Sequence, residues 1–441
     1  MEPASRPDGD ARPFARILTH LGWIFGGKGY GAILSLLYLA IVTRALGPAA
    51  YGAFALILSA TLILQAVLNF NIWQVLIKYG QEHMHSGDHP ALARLIRFCT
   101  AVDLAMALAA IAAAGLILHF GRGLLGMPDE LAWTAFAYAA LFLLSLRNVP
   151  RGVLRLHSQF SQSFFAEAVV PTLKTLGAVA ALLTNPSLEM FLFVWAGSEM
   201  ASTAVFWWLS TRSLRAAYGR PSARGWPRAW RENEGLPSLM VASNFSAMTY
   251  MMSQQLPVLL VGSFAGAAEA GIYRLAHQLA QSITIMAGFI GLASYTEMTG
   301  VYAKEGLRGV AGLYMRLTLI ALGLFLVLAL AILLLGEPLL LLMSGPEYLG
   351  AYPFLIVLGL AACLQMAAVS CEPMLMAAGR ARLLIAIRLA GAAALVGAVW
   401  WMLPAMGAIG AAWAKVLAEA VSLLLLFGAS FFILRETRAA S

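Results

Sequence analysis

The sequence predicts an all-α integral membrane protein of about twelve transmembrane helices, arranged as two six-helix lobes. Three observations lead there: an apolar composition, a one-sided distribution of Lys and Arg, and an internal repeat. Of the 441 residues, 61% are hydrophobic and 11% charged. Soluble domains carry about 45–50% apolar and about 25% charged residues, so the chain is built to meet lipid. The longest strongly polar stretch, 211–237, is too short to bury a core of its own.

A helix needs about 20 apolar residues to cross a hydrocarbon core of ~30 Å. Such runs occur at 17–43, 52–77, 98–120, 130–148, 163–184, 188–210, 237–262, 271–298, 310–335, 350–377, 383–403 and 407–434. The segment 337–343 is too short to cross. It is expected at the interface or as an extension of the ninth span.

The cations fix orientation. With the N-terminus placed inside, only Arg44 and Arg122 fall in outside loops, and Lys28, Lys174, Arg274 and Lys415 fall within spans. All other Lys and Arg lie in inside segments or toward the inside ends of spans, as Arg147, Arg316 and Arg388 do, and six arginines lie from Arg212 to Arg231. Basic loops mark the cytoplasmic side, and a miscounted helix in the middle would invert the bias in one half. An even number of spans with both ends cytoplasmic follows. The formal charge of +8 therefore reads as loop sidedness, and no nucleic-acid partner is expected.

The second half repeats the first at an offset near 219. Gly47 and Gly266, Gly52 and Gly271, Phe54 and Tyr273, Gly87 and Gly306, and Arg97 and Arg316 match at that spacing; Trp195 and Trp413 fall one residue off it. Six spans per half is an even number, so the repeat is parallel, about an axis along the membrane normal. The expected organisation is a cytoplasmic tail at 1–16, an N-lobe at 17–210, a basic cytoplasmic linker at 211–236, a C-lobe at 237–434 and a cytoplasmic tail at 435–441. The N-terminal stretch has no small-residue cleavage site after a short apolar core and is read as a retained tail. Cys99, Cys363 and Cys371 lie in or beside spans and are read as small packing residues.

Several ordered motifs resemble one family. Arg44-Ala-Leu-Gly-Pro-Ala-Ala-Tyr-Gly52 follows a Gly-rich first span. Glu269-Ala-Gly-Ile-Tyr-Arg-Leu-Ala276, Gly345-Pro-Glu-Tyr348, Ala377-Ala-Gly-Arg380 and Gly407-Ala-Ile-Gly-Ala-Ala-Trp413 continue the match. Together they are similar to the Wzx-type O-antigen and polysaccharide flippases of the multidrug/oligosaccharidyl-lipid/polysaccharide (MOP) exporter superfamily, over nearly the whole chain. The resemblance implies a MATE-like fold, a central cavity between two lobes, alternating access and an undecaprenyl-diphosphate-linked glycan as cargo. It places the chain in the inner membrane, in polysaccharide, O-antigen, lipopolysaccharide or exopolysaccharide biosynthesis. Partners would be the lipid-linked oligosaccharide, membrane lipid and a polysaccharide polymerase or export complex. No enzymatic activity, cofactor or metal is expected, and the coupling ion, H+ or Na+, stays open.

The chemistry of that cargo directs the choice of site residues. A charge in mid-bilayer costs at least ~3 kcal/mol, so moving a diphosphate calls for cations inside the membrane. Lys28, Arg274, Arg44, Lys174 and Lys415 are the candidates. Lys28 and Arg274 are preferred, because the first and eighth spans line the cavity in transporters of this resemblance. Arg274 has snorkelling to the outer interface as its alternative. Lys174, seven residues after Glu167, and Lys415, four before Glu419, also fit intrahelical pairs. Polar lining for sugar hydroxyls is expected from Asn244, Gln255, His277, Gln278 and Gln281, and from Gln65 and Asn69; interhelical hydrogen bonds are the alternative. Asp103, Glu167, Glu199 and Glu419 are candidates for ion coupling, as buried acids within spans. Glu297 and Glu372 are read as facing the cytoplasmic interface. His83, His85 and His89 read as a solvated loop rather than a metal site.

Two other functions share some of these features. A multidrug-type exporter would have a smaller, more acidic cavity, and the embedded cations favour an anionic cargo instead. A membrane polymerase or glycosyltransferase usually carries titratable groups in a sizeable outside loop, but the outside loops at 184–188, 263–270 and 403–407 are short. No nucleotide-binding P-loop motif occurs.

Overall fold

The computed structural model describes residues 13–120, 129–219 and 225–439. The described residues are helical, with no strand among them. In chain order the helices are α1 (Pro13–Leu68), α2 (Ile72–His85), α3 (His89–Phe120), α4 (Asp129–Leu143), α5 (Asn148–Leu156), α6 (Phe160–Thr184), α7 (Leu188–Tyr218), α8 (Leu236–Ala265), α9 (Ala267–Ser344), α10 (Ala351–Ala367), α11 (Cys371–Ala377), α12 (Ala381–Met406) and α13 (Ala408–Ala439). Among the described residues, nine segments are long and apolar enough to cross a membrane. The first of them, Gly29–His85, contains the turn at Gly47, where the backbone leaves helical geometry (φ 68°, ψ 173°) ahead of Pro48. With neither a Cβ at Gly47 nor an N–H at Pro48, the chain can turn sharply between two helices there.

Lipid exposure is visible in the side chains. Phe120, Leu183, Trp400, Trp401, Leu424, Phe431 and Phe432 all stand on the outside of the protein. Such apolar exposure is untenable in water and ordinary in hydrocarbon, where backbone polar groups must be satisfied within the helices themselves.

The chain packs as two compact units. One, here the N-side unit, comprises Leu34–Arg274 and Met343–Tyr348. The other, the C-side unit, comprises the residues up to Ile33, Leu275–Leu342 and Leu349–Ser441. Within the N-side unit α8 packs with helices from the first half of the chain. The N-side unit packs α6 against α7 and α2 against α5. One of its cores gathers Ile72, Val75, Leu76, Leu95, Cys99, Val149, Leu236 and Met240. The C-side unit packs α13 against both α10 and α12, around Met298, Val310, Tyr314, Cys371, Met374, Leu384 and Leu426. The three cysteines are free and buried.

Three spans that read as continuous are broken. The second breaks at residues 69–71, the fourth at 144–147 and the tenth at 368–370. The breaks in spans four and ten occupy equivalent places in the two halves. Their local causes are legible afterwards. Asn71 sits in the left-handed region (φ 45°) with its backbone N–H donating to Asn69 Oδ1 (3.1 Å), a conformation Asn tolerates better than most residues. Asn148 and Pro150 open α5, where a proline in the first turn costs no backbone hydrogen bond. The segment 337–343 does extend the ninth span, since α9 runs on to Ser344.

Candidate functional site

Two of the resemblance motifs, 44–52 and 345–348, and the start of a third, 269–274, meet in the N-side unit. Thr43 Oγ1 donates to Ser344 Oγ (2.9 Å), and Arg44 Nε donates to the carbonyl of Met343 (3.1 Å). Arg44 thus sits at the C-terminus of α9, where the helix dipole favours a cation. The ring of Tyr51 meets that of Tyr348 edge to face, 6.3 Å apart. The Gly47–Gly52 turn, the start of α9 and the 345–348 segment therefore form one assembly.

Beneath this turn lies a buried guanidinium. Arg274 is 8% exposed and lies inside the protein, which removes the snorkelling alternative. Its Nη1 donates to Gln255 Oε1 (2.8 Å), and the same oxygen accepts from Ser59 Oγ (3.1 Å). Tyr51 also hydrogen-bonds Arg274, and the phenols of Tyr138 and Tyr273 stand nearby. Among the described residues no carboxylate pairs with it. Helices α1, α4, α8 and α9 supply these groups, and Gln255 joins Arg274 to Ser59, 196 residues away in sequence.

A second cation cluster lies in the same unit. Lys174 Nζ pairs with Glu199 Oε1 at 3.3 Å, and Arg147 Nη2 pairs with Glu199 Oε2 at 2.5 Å. Lys174 also stands 3.2 Å from the centroid of the Trp195 ring, whose face attracts a cation. Tyr38 and Phe54 pack against Trp195 with centroid separations of 5.6 Å. This corrects the intrahelical partner expected for Lys174. Glu167 instead faces Arg151 (3.4 Å) and Arg155 (3.7 Å) of α5. Positions seven apart share a helix face but lie two turns apart along it, and the fold offers each group a closer partner on another helix. Arg147, read as a cytoplasmic loop residue, is drawn against buried Glu199 by the break between α4 and α5.

The remaining candidates fall as follows. Lys415 and Glu419 form an i,i+4 pair at 3.0 Å, as their spacing allowed. Asn244 Nδ2 donates to the carbonyl of Val67 (3.0 Å), an interhelical bond rather than an open lining position. His277 is buried, and Gln278 and Gln281 are half-buried, in the C-side unit. Glu372 bonds Arg388 (2.8 Å), and His83 bonds Asn233 Oδ1 (2.9 Å). The side chain of Lys28 lies outside the described residues.

A small pocket opens where two helices are interrupted. Gln65, Asn69, Asp103, Ser145 and Asn148 supply its polar lining, with Leu68, Met106, Ala107, Ala110, Leu143 and Leu146 around them. Asn148 Nδ2 donates to Asn69 Oδ1 (2.8 Å) and to Asp103 Oδ1 (3.1 Å). Sequence reasoning named Asp103 and Asn69 separately but missed Asn148, Tyr51, Ser59 and Trp195. An Asn-Phe-Asn and an Asn-Val-Pro inside apolar runs were the available signals.

Comparison with known proteins fits this architecture. Residues 17–295 match the family of polysaccharide biosynthesis proteins. The chain is 24% identical over 347 residues to "Inner membrane protein YghQ" of Escherichia coli (strain K12), covering 77% of this chain and 95% of that one. A multidrug resistance MATE family transporter of the MOP superfamily, in an inward-facing conformation, superposes with a TM-score of 0.73 at 13% identity, over 92% of this chain and 96% of the other. The lipid II flippase MurJ superposes with a TM-score of 0.69 at 12% identity, over 91% and 86% of the two chains. A MOP superfamily transporter from Pyrococcus furiosus gives 0.62 at 14% identity, over 97% and 96%. With its MATE-like helical fold, its lipid-exposed surface and a family match over more than half its length, this chain is a multi-pass membrane protein belonging to the polysaccharide biosynthesis protein family.

Proposed function

We propose that the chain moves an undecaprenyl-diphosphate-linked oligosaccharide from the cytoplasmic to the periplasmic leaflet of the bacterial inner membrane, by alternating access of two lobes. Both termini and the 211–236 linker lie in the cytoplasm on this reading. The family match and the fold shared with a lipid II flippase support it.

The observation that carries the reading is Arg274. Its guanidinium is buried in a membrane protein and held by an amide and a phenol rather than by a carboxylate. Burying a cation without an acid is expensive, and such a residue is functional by default. A guanidinium held by neutral groups can exchange one of them for a phosphate oxygen without breaking an ion pair, and its planar fork matches phosphate geometry. Arg147 and Lys174 share the single carboxylate of Glu199, which adds a further net positive charge to the same unit. The polyprenyl tail stays in lipid throughout. Translocation makes and breaks no covalent bond, and the coupling ion supplies the driving force.

The test is depletion of the protein in its native host, followed by analysis of lipid-linked glycans. The expected result is accumulation of one undecaprenyl-diphosphate-linked oligosaccharide on the inner leaflet, with loss of the corresponding surface polysaccharide. Unchanged surface glycan together with lost resistance to small cationic compounds would support the multidrug-type alternative instead.

A further inference from the structure

We propose that the pocket between the helix breaks at 69–71 and 144–147 is a binding site for a monovalent cation, a sodium ion or a proton, with Asp103 as its charged ligand. Four acids within spans were candidates for such a role, and three are already engaged. Glu199 is held by Lys174 and Arg147, Glu167 faces Arg151 and Arg155, and Glu419 holds Lys415.

Asp103 differs. It is 5% exposed, Asn148 occupies its Oδ1, and its Oδ2 is buried without a partner. A carboxylate so placed in a membrane interior has a large desolvation cost, and a cation or a proton relieves it. Among the described residues no Lys or Arg pairs with it. The groups that face it are neutral: Asn148 from α5, and Asn69 from the end of α1, joined to Asn148 by the same amide. Cys99 lies one turn away on α3 itself.

The surroundings supply what a small hard cation needs. Oxygen-bearing side chains of Gln65, Asn69 and Ser145 line the same pocket, which is large enough for a water-sized occupant. The interruptions of the second and fourth spans meet at it. Non-helical backbone at membrane depth is tolerated where it lines a cavity, and transporters place coupling-ion sites at broken helices. No contact with Arg274 is required.

Cation binding stands apart from the identity of the cargo, and only its role in driving transport rests on the reading above. It is measured on the full-length protein in lipid nanodiscs without any glycan present. One arm follows retention of radioactive sodium against a potassium control. The other follows the carbonyl stretch of a protonated carboxyl group in infrared spectra across pH. If the ion is sodium, retention saturates and falls at least about tenfold in Asp103→Asn. If it is a proton, a carboxyl band is present in the wild type, vanishes in Asp103→Asn and shifts in Asn148→Ala, which keeps the acid and removes its donor. A wild-type protein with neither saturable sodium retention nor a carboxyl band sensitive to Asn148→Ala overturns the proposal, even if Asp103→Asn cannot be purified. Failure of the flippase reading would appear separately, as normal lipid-linked glycan pools in the depleted cell.

Discussion

Gly52 and Gly271, separated by the repeat offset, are packed against each other. A Cβ on Gly52 would overlap the carbonyl of Ala267 and lie 3.0 Å from the nitrogen of Gly271. A Cβ on Gly271 would overlap the carbonyl of Pro48 and lie 2.9 Å from the nitrogen of Gly52. The turn after the first span and the first turns of α9 thus meet backbone to backbone. Small residues at helix crossings allow that approach in membranes. Gly47 and Gly266, also one offset apart, both adopt positive φ, 68° and 89°.

This contact predicts the effect of one methyl group. Gly52→Ala must displace backbone rather than a flexible side chain, so it should destabilise by at least ~1–3 kcal/mol. Heating the detergent-purified variant and measuring the fraction still monodisperse should show a clear drop in midpoint. Gly197→Ala meets nothing within 4 Å and serves as the neutral control. Equal midpoints for the two variants would remove the close-packing argument.

Arg274 should be needed for export rather than for insertion. Arg274→Ala should lower surface polysaccharide by at least about tenfold while the protein still reaches the membrane. Arg274→Lys should recover little, because lysine lacks the planar fork. The check is quantitation of surface glycan against membrane-fraction protein. Full export by the alanine variant would take Arg274 out of the site.

The Lys174–Glu199–Arg147 cluster predicts a non-additive pattern. Glu199→Gln leaves two partly buried cations without their shared acid, and should destabilise by less than the about 3–5 kcal/mol that removing one partner of a fully buried pair costs. The double variant Lys174→Met with Glu199→Gln leaves a single cation and should be less destabilised than Glu199→Gln alone. Thermal midpoints of the single and double variants complete the cycle. Strict additivity would mean that the groups do not interact.

Sidedness can be read with introduced cysteines, because the three native ones are buried and react poorly. Ser222→Cys should be labelled by an impermeant maleimide only when the cytoplasmic face is opened. Asn185→Cys should be labelled in intact spheroplasts. The opposite pattern would reverse the orientation derived from the loop charges.

The sequence by itself determined the helical membrane class, and it carries the clustering of Lys and Arg between apolar runs and the pairs of residues repeated near an offset of 219. Each is a property of composition or spacing that survives averaging over a helix-length window. It also determined the Lys415–Glu419 pair, which needs only helical geometry. The tertiary structure decided the rest. A break of three or four residues, such as 69–71 or 144–147, vanishes in a 20-residue hydropathy average, yet it creates the pocket that holds Asp103. Lys174 and Glu199 lie on adjacent helices, 25 residues apart in number, and no periodicity along either helix links them. Gln255 could be read as polar and helical, but only packing shows that its one oxygen serves both Ser59 and Arg274. In a membrane every polar side chain must find its partner within the protein, so which partner it finds depends on how the helices pack together.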